Sequence, residues 1–131
     1  KAALRTMATD FFQRALQGIA VSLVDPSAGG SMPCTFQVDE CFRHGLFRTD
    51  GCVHHIFRLQ DLVAPFGGQE VRRAFPEVSE PGACVLLRTR DCAPDIICRL
   101  ADAKEAKSFH TCMSILRLSV SIAFSKDDAS T

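Results

Sequence analysis

Cys52, His54 and His55 are the tightest grouping of nucleophilic and metal-ligating side chains in this 131-residue chain, with Cys41 and His44 a short way upstream. Two chemistries use such residues. A thiol becomes a nucleophile when a neighbouring base or positive field draws off its proton. Cys52 and His54, two apart on a strand, would share a face for that purpose. Zinc uses the same residue types, but its sites favour close pairs such as C-x-x-C, and the chain has none. In an extended strand His54 and His55 point to opposite faces, so one alone would join Cys52. No third group orients the imidazole, no oxyanion motif accompanies the pair, and Ser, His and Asp stand at no hydrolase spacing. A thiol-dependent small enzyme is therefore the minor alternative. No catalytic, metal or cofactor site is assigned.

The seven cysteines are Cys34, Cys41, Cys52, Cys84, Cys92, Cys98 and Cys112, an odd number scattered among apolar residues. Free Cys packs as a small hydrophobe. The pattern fits reduced thiols in a core better than a secreted disulfide framework.

Charge decides which partners are open. Fifteen basic and fifteen acidic residues give a formal net charge of zero, and ten Phe stand without a single Tyr or Trp. A nucleic-acid binder would show a basic excess and stacking platforms, so that class is excluded. Arg72-Arg73, Arg88 and Arg90 could form a basic patch for an anionic headgroup, although solvated surface is the commoner fate of such residues. No apolar run approaches the roughly 20 residues of a membrane-spanning helix. Hydrophobic residues at 47% and charged residues at 23% describe one ordinary globular domain.

These residues must be held by regular elements, and the hydrophobic period shows which. Leu4, Met7, Ala8, Phe11, Phe12, Ala15 and Leu16 recur at helical steps, too short a stripe to stand without docking. From Gly18 the period becomes two. Ile19 to Val24 and Met32 to Val38 read as strands joined by a flexible turn, and Cys41 to Arg48 and Val53 to Leu59 are joined at Thr49-Asp50-Gly51. Gln69 to Phe75 reads as a weaker fifth strand, followed by Ala83 to Arg88 and Asp95 to Leu100. Asp102 with Glu105 caps a helix whose stripe is Ala106, Phe109, Met113, Leu116 and Val120. Leu118, Val120, Ile122 and Phe124 also alternate strictly with small residues, so this segment is either more helix or an added strand. The expected division is a helix over 1–16, a domain over 17–120 and a tail over 121–131.

Strands joined as hairpins and closed by one helix imply an α+β fold, an antiparallel barrel or sandwich capped by its last element. With Phe57-Arg-Leu-Gln-Asp-Leu-Val at the fourth-strand exit and Ile96-Ile-Cys-Arg-Leu-Ala-Asp-Ala-Lys-Glu-Ala-Lys-Ser-Phe entering the helix, the chain resembles a pleckstrin-homology-like domain. That resemblance implies a seven-stranded antiparallel β-barrel or sandwich, a capping C-terminal α-helix and, here, a short N-terminal helix. Phe109 stands where many relatives carry Trp. Lipid-binding members clamp inositol phosphates with bases around the first hairpin. Here the region is Asp25, Ser27, Gly29 and Gly30 in the turn, with Arg43 and Arg48 the only nearby bases, which makes it a degenerate lipid site.

Gln17-Gly-Ile-Ala-Val-Ser-Leu-Val, Met32-Pro-Cys34 and the Phe57 to Glu70 segment carry a closer resemblance, to the inner membrane complex sub-compartment proteins of apicomplexan parasites. It implies a lipid-anchored scaffold on the cytoplasmic face of the inner membrane complex, held by N-terminal myristate and palmitate. Lys1 is not preceded here by Met-Gly or an acylated Cys, so the anchor is expected outside this sequence. The expected function is a non-catalytic interaction module with protein partners, no nucleic acid and no phosphoinositide. Leu118, Val120, Ile122 and Phe124 are the candidate partner contact, because domains of this type accept an added strand between the fifth strand and the helix. The alternative in another class is a phosphoinositide reader using the Arg88 and Arg90 face.

Overall fold

The computed structural model describes residues 2–27, 30–90 and 94–130, with side chains described at 6, 8–27, 30–90 and 94–119. The first helical stripe forms α1, Ala2–Gln17, which buries Ala8, Phe11 and Ala15. Side chains of Leu4 and Met7 lie outside the described residues. Gly18 ends the helix with φ +123, its amide donating to the Arg14 carbonyl at 2.7 Å. Glycine is required there twice over, since a Cβ would also come within 2.7 Å of the Thr35 methyl.

Seven antiparallel strands follow: β1 Ile19–Val24, β2 Ser31–Val38, β3 His44–Thr49, β4 Cys52–Arg58, β5 Leu62–Phe66, β6 Cys84–Thr89 and β7 Ile96–Arg99. They form one curled half-barrel in the order β4-β3-β2-β1-β7-β6-β5. β1 sits at the centre, pairing Val21 with Cys34 on one side and Leu23 with Cys98 on the other. The inner face closes on an aromatic core. Phe36 lies 5.1 Å from Phe47, and Phe109 stands edge-on to both Phe36 and Phe11. Gly45 lets the Phe57 ring lie flat against the backbone, where a Cβ would approach Phe57 Cζ to 2.7 Å.

Two elements differ from the expected pattern. Gln69 to Phe75 is not a strand: the segment forms the helix α2, Gly68–Ala74, and the fifth strand is Leu62–Phe66 instead. Gln, Glu, Arg and Ala all favour helix. The deciding factor is tertiary, because β6 is buried on both faces and its outward side chains need a cover. Val71 of α2 supplies it, packing with Val24, Val78, Cys84, Leu86 and Ile97 in a second small core outside the sheet. Pro65 is tolerated in β5 because that strand is at the end of the sheet. The third strand also begins late, at His44. Asp39 takes up the amides of Arg43 and His44 at 2.7 and 3.0 Å and holds the preceding residues in a turn.

Asp102 caps the last helix as expected, its carboxylate accepting from the Glu105 amide at 2.8 Å. This helix, α3, spans Ala103–Ser130. Ala106, Phe109, Cys112, Met113 and Leu116 bury its inner face. Leu118 to Phe124 is therefore helix and not an added strand. The two-residue alternation loses to a helix already nucleated and packed over three turns upstream. The helix also passes 120 without a break, so no change of backbone marks the expected start of a tail. No helix is long and apolar enough to cross a membrane among the described residues.

Candidate functional site

The turn after β1, the histidines of β4 and the approach to β7 gather at one end of the half-barrel. They enclose a cleft of ≈570 Å³ bordered by Asp25, Met32, His54, His55, Asp95 and Ile96, among others. No Lys or Arg belongs to its described lining. Within the first turn Asp25 is occupied structurally. Its Oδ1 accepts from the Ser27 amide at 2.9 Å and the Ser27 hydroxyl at 2.8 Å, while its own amide donates to the Gly30 carbonyl at 2.8 Å. That self-bonded turn is what an Asp-Pro-Ser sequence favours. Gly29 lies outside the described residues.

The two expected nearby bases are not brought to this cleft. Arg43 precedes β3 at the opposite end of the sheet, since β2 runs away from the mouth before the turn at Asp39. Its amide donates to Asp39, and its carbonyl accepts from Leu59 at 2.8 Å. Arg48 lies on β3 nearer the mouth, but its Nε donates to Gln37 Oε1 at 2.8 Å. Gln37 in turn donates to the Leu16 carbonyl at 2.8 Å. This arginine is thus the end of a hydrogen-bonded relay that satisfies the last turn of α1.

The histidines depart from simple alternation. Phe47 pairs with His55 but Arg48 pairs with Val53, so β4 carries an extra residue at His54. The bulge shifts the side-chain alternation, and both His54 and His55 border the cleft instead of pointing to opposite faces. His54 Nε2 and Thr49 Oγ1 lie 2.8 Å apart. His55 stands edge-on to Phe47 at 6.3 Å, and burial, reinforced by the His54 charge, pushes its pKa down. Cys52 is exposed, and its Sγ contact is the Val53 carbonyl at 4.0 Å. The Cys52–His54 pair therefore lacks the hydrogen bond a thiol nucleophile would need. No group of three or more His, Cys, Asp or Glu that could hold a metal occurs among the described residues.

Cys34, Cys84, Cys98 and Cys112 are buried, and burial raises all four thiols above their ordinary range. Raised thiols in a core are packing atoms. Cys92 lies outside the described residues. The arginine face is partly spoken for as well. Arg88 forks onto Asp95 at 3.0 and 2.9 Å, and lies over the Phe66 ring at 5.4 Å. Arg73 shares a hollow of ≈180 Å³ with Arg88, but Glu70 borders it too. Arg90 follows β6 in a turn, where its amide donates to the Asp61 carbonyl. Of the candidate contact on α3, Leu118 is 52% exposed, while the side chains of Val120, Ile122 and Phe124 lie outside the described residues.

The fold has solved counterparts. Inner membrane complex sub-compartment protein 1 from Toxoplasma gondii superposes with a TM-score of 0.73 at 19% identity, over 86% of this chain and 92% of that one. Sub-compartment protein 3 from the same organism gives 0.66 at 14% identity, over 88% and 86%. The PH domain of TgAPH gives 0.58 at 10% identity, over 87% and 90%. No protein-family profile and no curated protein matches the sequence. The chain thus has a pleckstrin-homology-like fold, similar to that of the sub-compartment proteins, with Phe109 buried in its core.

Proposed function

We propose that this domain is a non-catalytic protein-interaction and scaffolding module of a lipid-anchored inner membrane complex protein, and that it has lost phosphoinositide binding. The observation that supports the loss is the chemistry of the mouth. Inositol phosphates carry several negative charges and need forked, charge-assisted donors. Among the described residues the mouth is lined by Asp25, Asp95 and two histidines with no Lys or Arg, and the nearby Arg88 is already paired with Asp95. The fold shared with two inner membrane complex proteins supports a place on the cytoplasmic face of that membrane system, the pellicle. Myristoyl and palmitoyl groups N-terminal to this sequence would supply the anchor, two acyl chains being what stable attachment takes.

Liposome co-sedimentation tests the reading, with neutral vesicles compared against vesicles containing phosphatidylinositol bisphosphate. No phosphoinositide-dependent pelleting is expected. Salt-sensitive pelleting that disappears when Arg88 and Arg90 are replaced by Ala would overturn the reading in favour of the arginine face.

A further inference from the structure

Arg99, the last residue of β7, is held differently from Arg58 and Arg88, which pair with the carboxylates of Asp61 and Asp95. Among the described residues no carboxylate pairs with Arg99. Its guanidinium donates instead to two hydroxyls, Ser79 Oγ at 3.2 Å and Ser31 Oγ at 2.8 Å. One cation thereby joins the first hairpin to the loop after α2. It does so on the outer face of the sheet, which Arg99 shares with Ile97 two residues before it. Both serines are exposed. Ser79 has a fixed place: Val78 before it is buried in the small outer core, and Glu80 after it adopts φ 54. Neutral hydroxyls use little of a guanidinium's capacity, because its planar fork is shaped for two oxygens of a carboxylate or a phosphate.

We propose that Ser79 is a phosphorylation site, and that Arg99, assisted by the Ser31 hydroxyl, is the receptor for its phosphate. In the transfer, the γ-phosphoryl group of ATP passes to Ser79 Oγ in the active site of a protein kinase. The Oγ–P bond forms as the bond to the β-phosphate oxygen breaks, ADP leaves, and the hydroxyl proton goes to the kinase's base. The chain gains about two negative charges and strong acceptor oxygens beside a cation that has only hydroxyls for partners. The Ser31 hydroxyl can then donate to the same phosphate. Ser79 and not Ser31 is the acceptor because it stands in an irregular loop, whereas Ser31 is paired in the sheet with Val24. Glu77 and Glu80 flank Ser79 in sequence and oppose a phosphate, and the Arg99 fork is what offsets them.

The test uses the whole chain made with phosphoserine at position 79 and, separately, the protein purified from its own cells. Phosphorus NMR as a function of pH reads the second pKa of the phosphate, which is about 6 for an unperturbed phosphoserine. Arg99 should draw it down to about 5–5.5. Arg99→Gln should return it to about 6 or above. Arg99→Lys, which keeps the charge and loses the fork, should fall between the two. Phosphorylation should also raise the urea midpoint, and Arg99→Gln should abolish that rise. Peptide mass spectrometry of the cellular protein should find phosphate on Ser79. A phosphate pKa of about 6 or higher in the otherwise unsubstituted chain, or one unmoved by Arg99→Gln, would overturn the receptor. Cellular protein phosphorylated only elsewhere, or not at all, would overturn the site.

Discussion

Phe109 joins three parts of the molecule, and removing it should expose how α1 is attached. Its ring stands edge-on to Phe11 of α1 at 5.7 Å and to Phe36 of β2 at 5.4 Å, with 3% of its surface exposed. Truncating a buried Phe to Ala costs about 3–5 kcal/mol, of which each aromatic pair accounts for about 0.5–1.5 kcal/mol. A cavity of ≈370 Å³ between α1 and α3 borders both Phe11 and Phe109. Phe11 lies on a helix that can settle into that space, which puts Phe11→Ala near about 3 kcal/mol. Phe109 is fixed between helix and sheet, which puts Phe109→Ala nearer about 5 kcal/mol. Because the rings touch, the double variant should fall short of the sum by about 0.5–3 kcal/mol. Urea unfolding of the four proteins, followed by far-UV circular dichroism because the chain lacks Trp and Tyr, measures each term. Phe109→Leu controls for outright failure to fold. Additive singles, or a Phe109→Ala cost below about 1 kcal/mol, would mean that α1 is not seated on this ring.

Burial should also govern thiol chemistry: in a Cys92→Ser background a thiol-specific reagent should label Cys41 and Cys52 in the folded protein and reach Cys34, Cys84, Cys98 and Cys112 only after denaturation. Rapid native labelling of Cys98, which is 0% exposed, would contradict the packing described. Stability should fall on mild acidification. Burial, with the His54 charge, lowers His55 from its ordinary 6.5, so its contribution is complete above that value and is lost as pH falls toward the lower folded pKa. Asp39 adds a loss in stronger acid. Burial alone would raise its carboxyl, but the His44 and Arg43 amides and the His44 ring together hold it below 3.8, so its contribution is lost as pH falls through that lower value. Urea midpoints between pH 7.5 and 5 should therefore decline, and His55→Gln should flatten the slope; a flat profile in the unsubstituted protein would refute the assignment.

The hairpins, the Asp102 cap and the Ala106-Phe109-Met113-Leu116 stripe were legible because each is a local pattern with one solution. The lack of Lys and Arg between Val24 and Glu40 is read directly off the chain, and the described lining of the mouth adds none from other segments. Three features were not legible. Gly68–Ala74 contains both periods weakly, and it became a helix because β6 and β7 needed an outer cover that only long-range packing reveals. The bulge at His54 depends on the register of β3 against β4, and one extra residue brought both histidines to one cleft. Arg43 is close to Arg48 in sequence, yet strand direction sends it to the far end of the sheet. That last placement follows from hairpin topology once strand limits are known, so the signal was present in the turn at Asp39.

The two ends of the sheet bear on where a partner can join. A strand added beside β5 would need that edge's carbonyls, and His110 of α3 already stands 2.9 Å from the Pro65 carbonyl with its Nε2. Proline offers no amide in return. Addition there would break a half-buried contact and gain an incomplete ladder. The outer face of β6 and β7 is closed by α2, which leaves no bare sheet on that side. At the other end β4 exposes Val53 and Ile56, but the extra residue at His54 twists the strand and interrupts a continuous ladder. Both edges are thus poor acceptors for a simple strand, for different reasons.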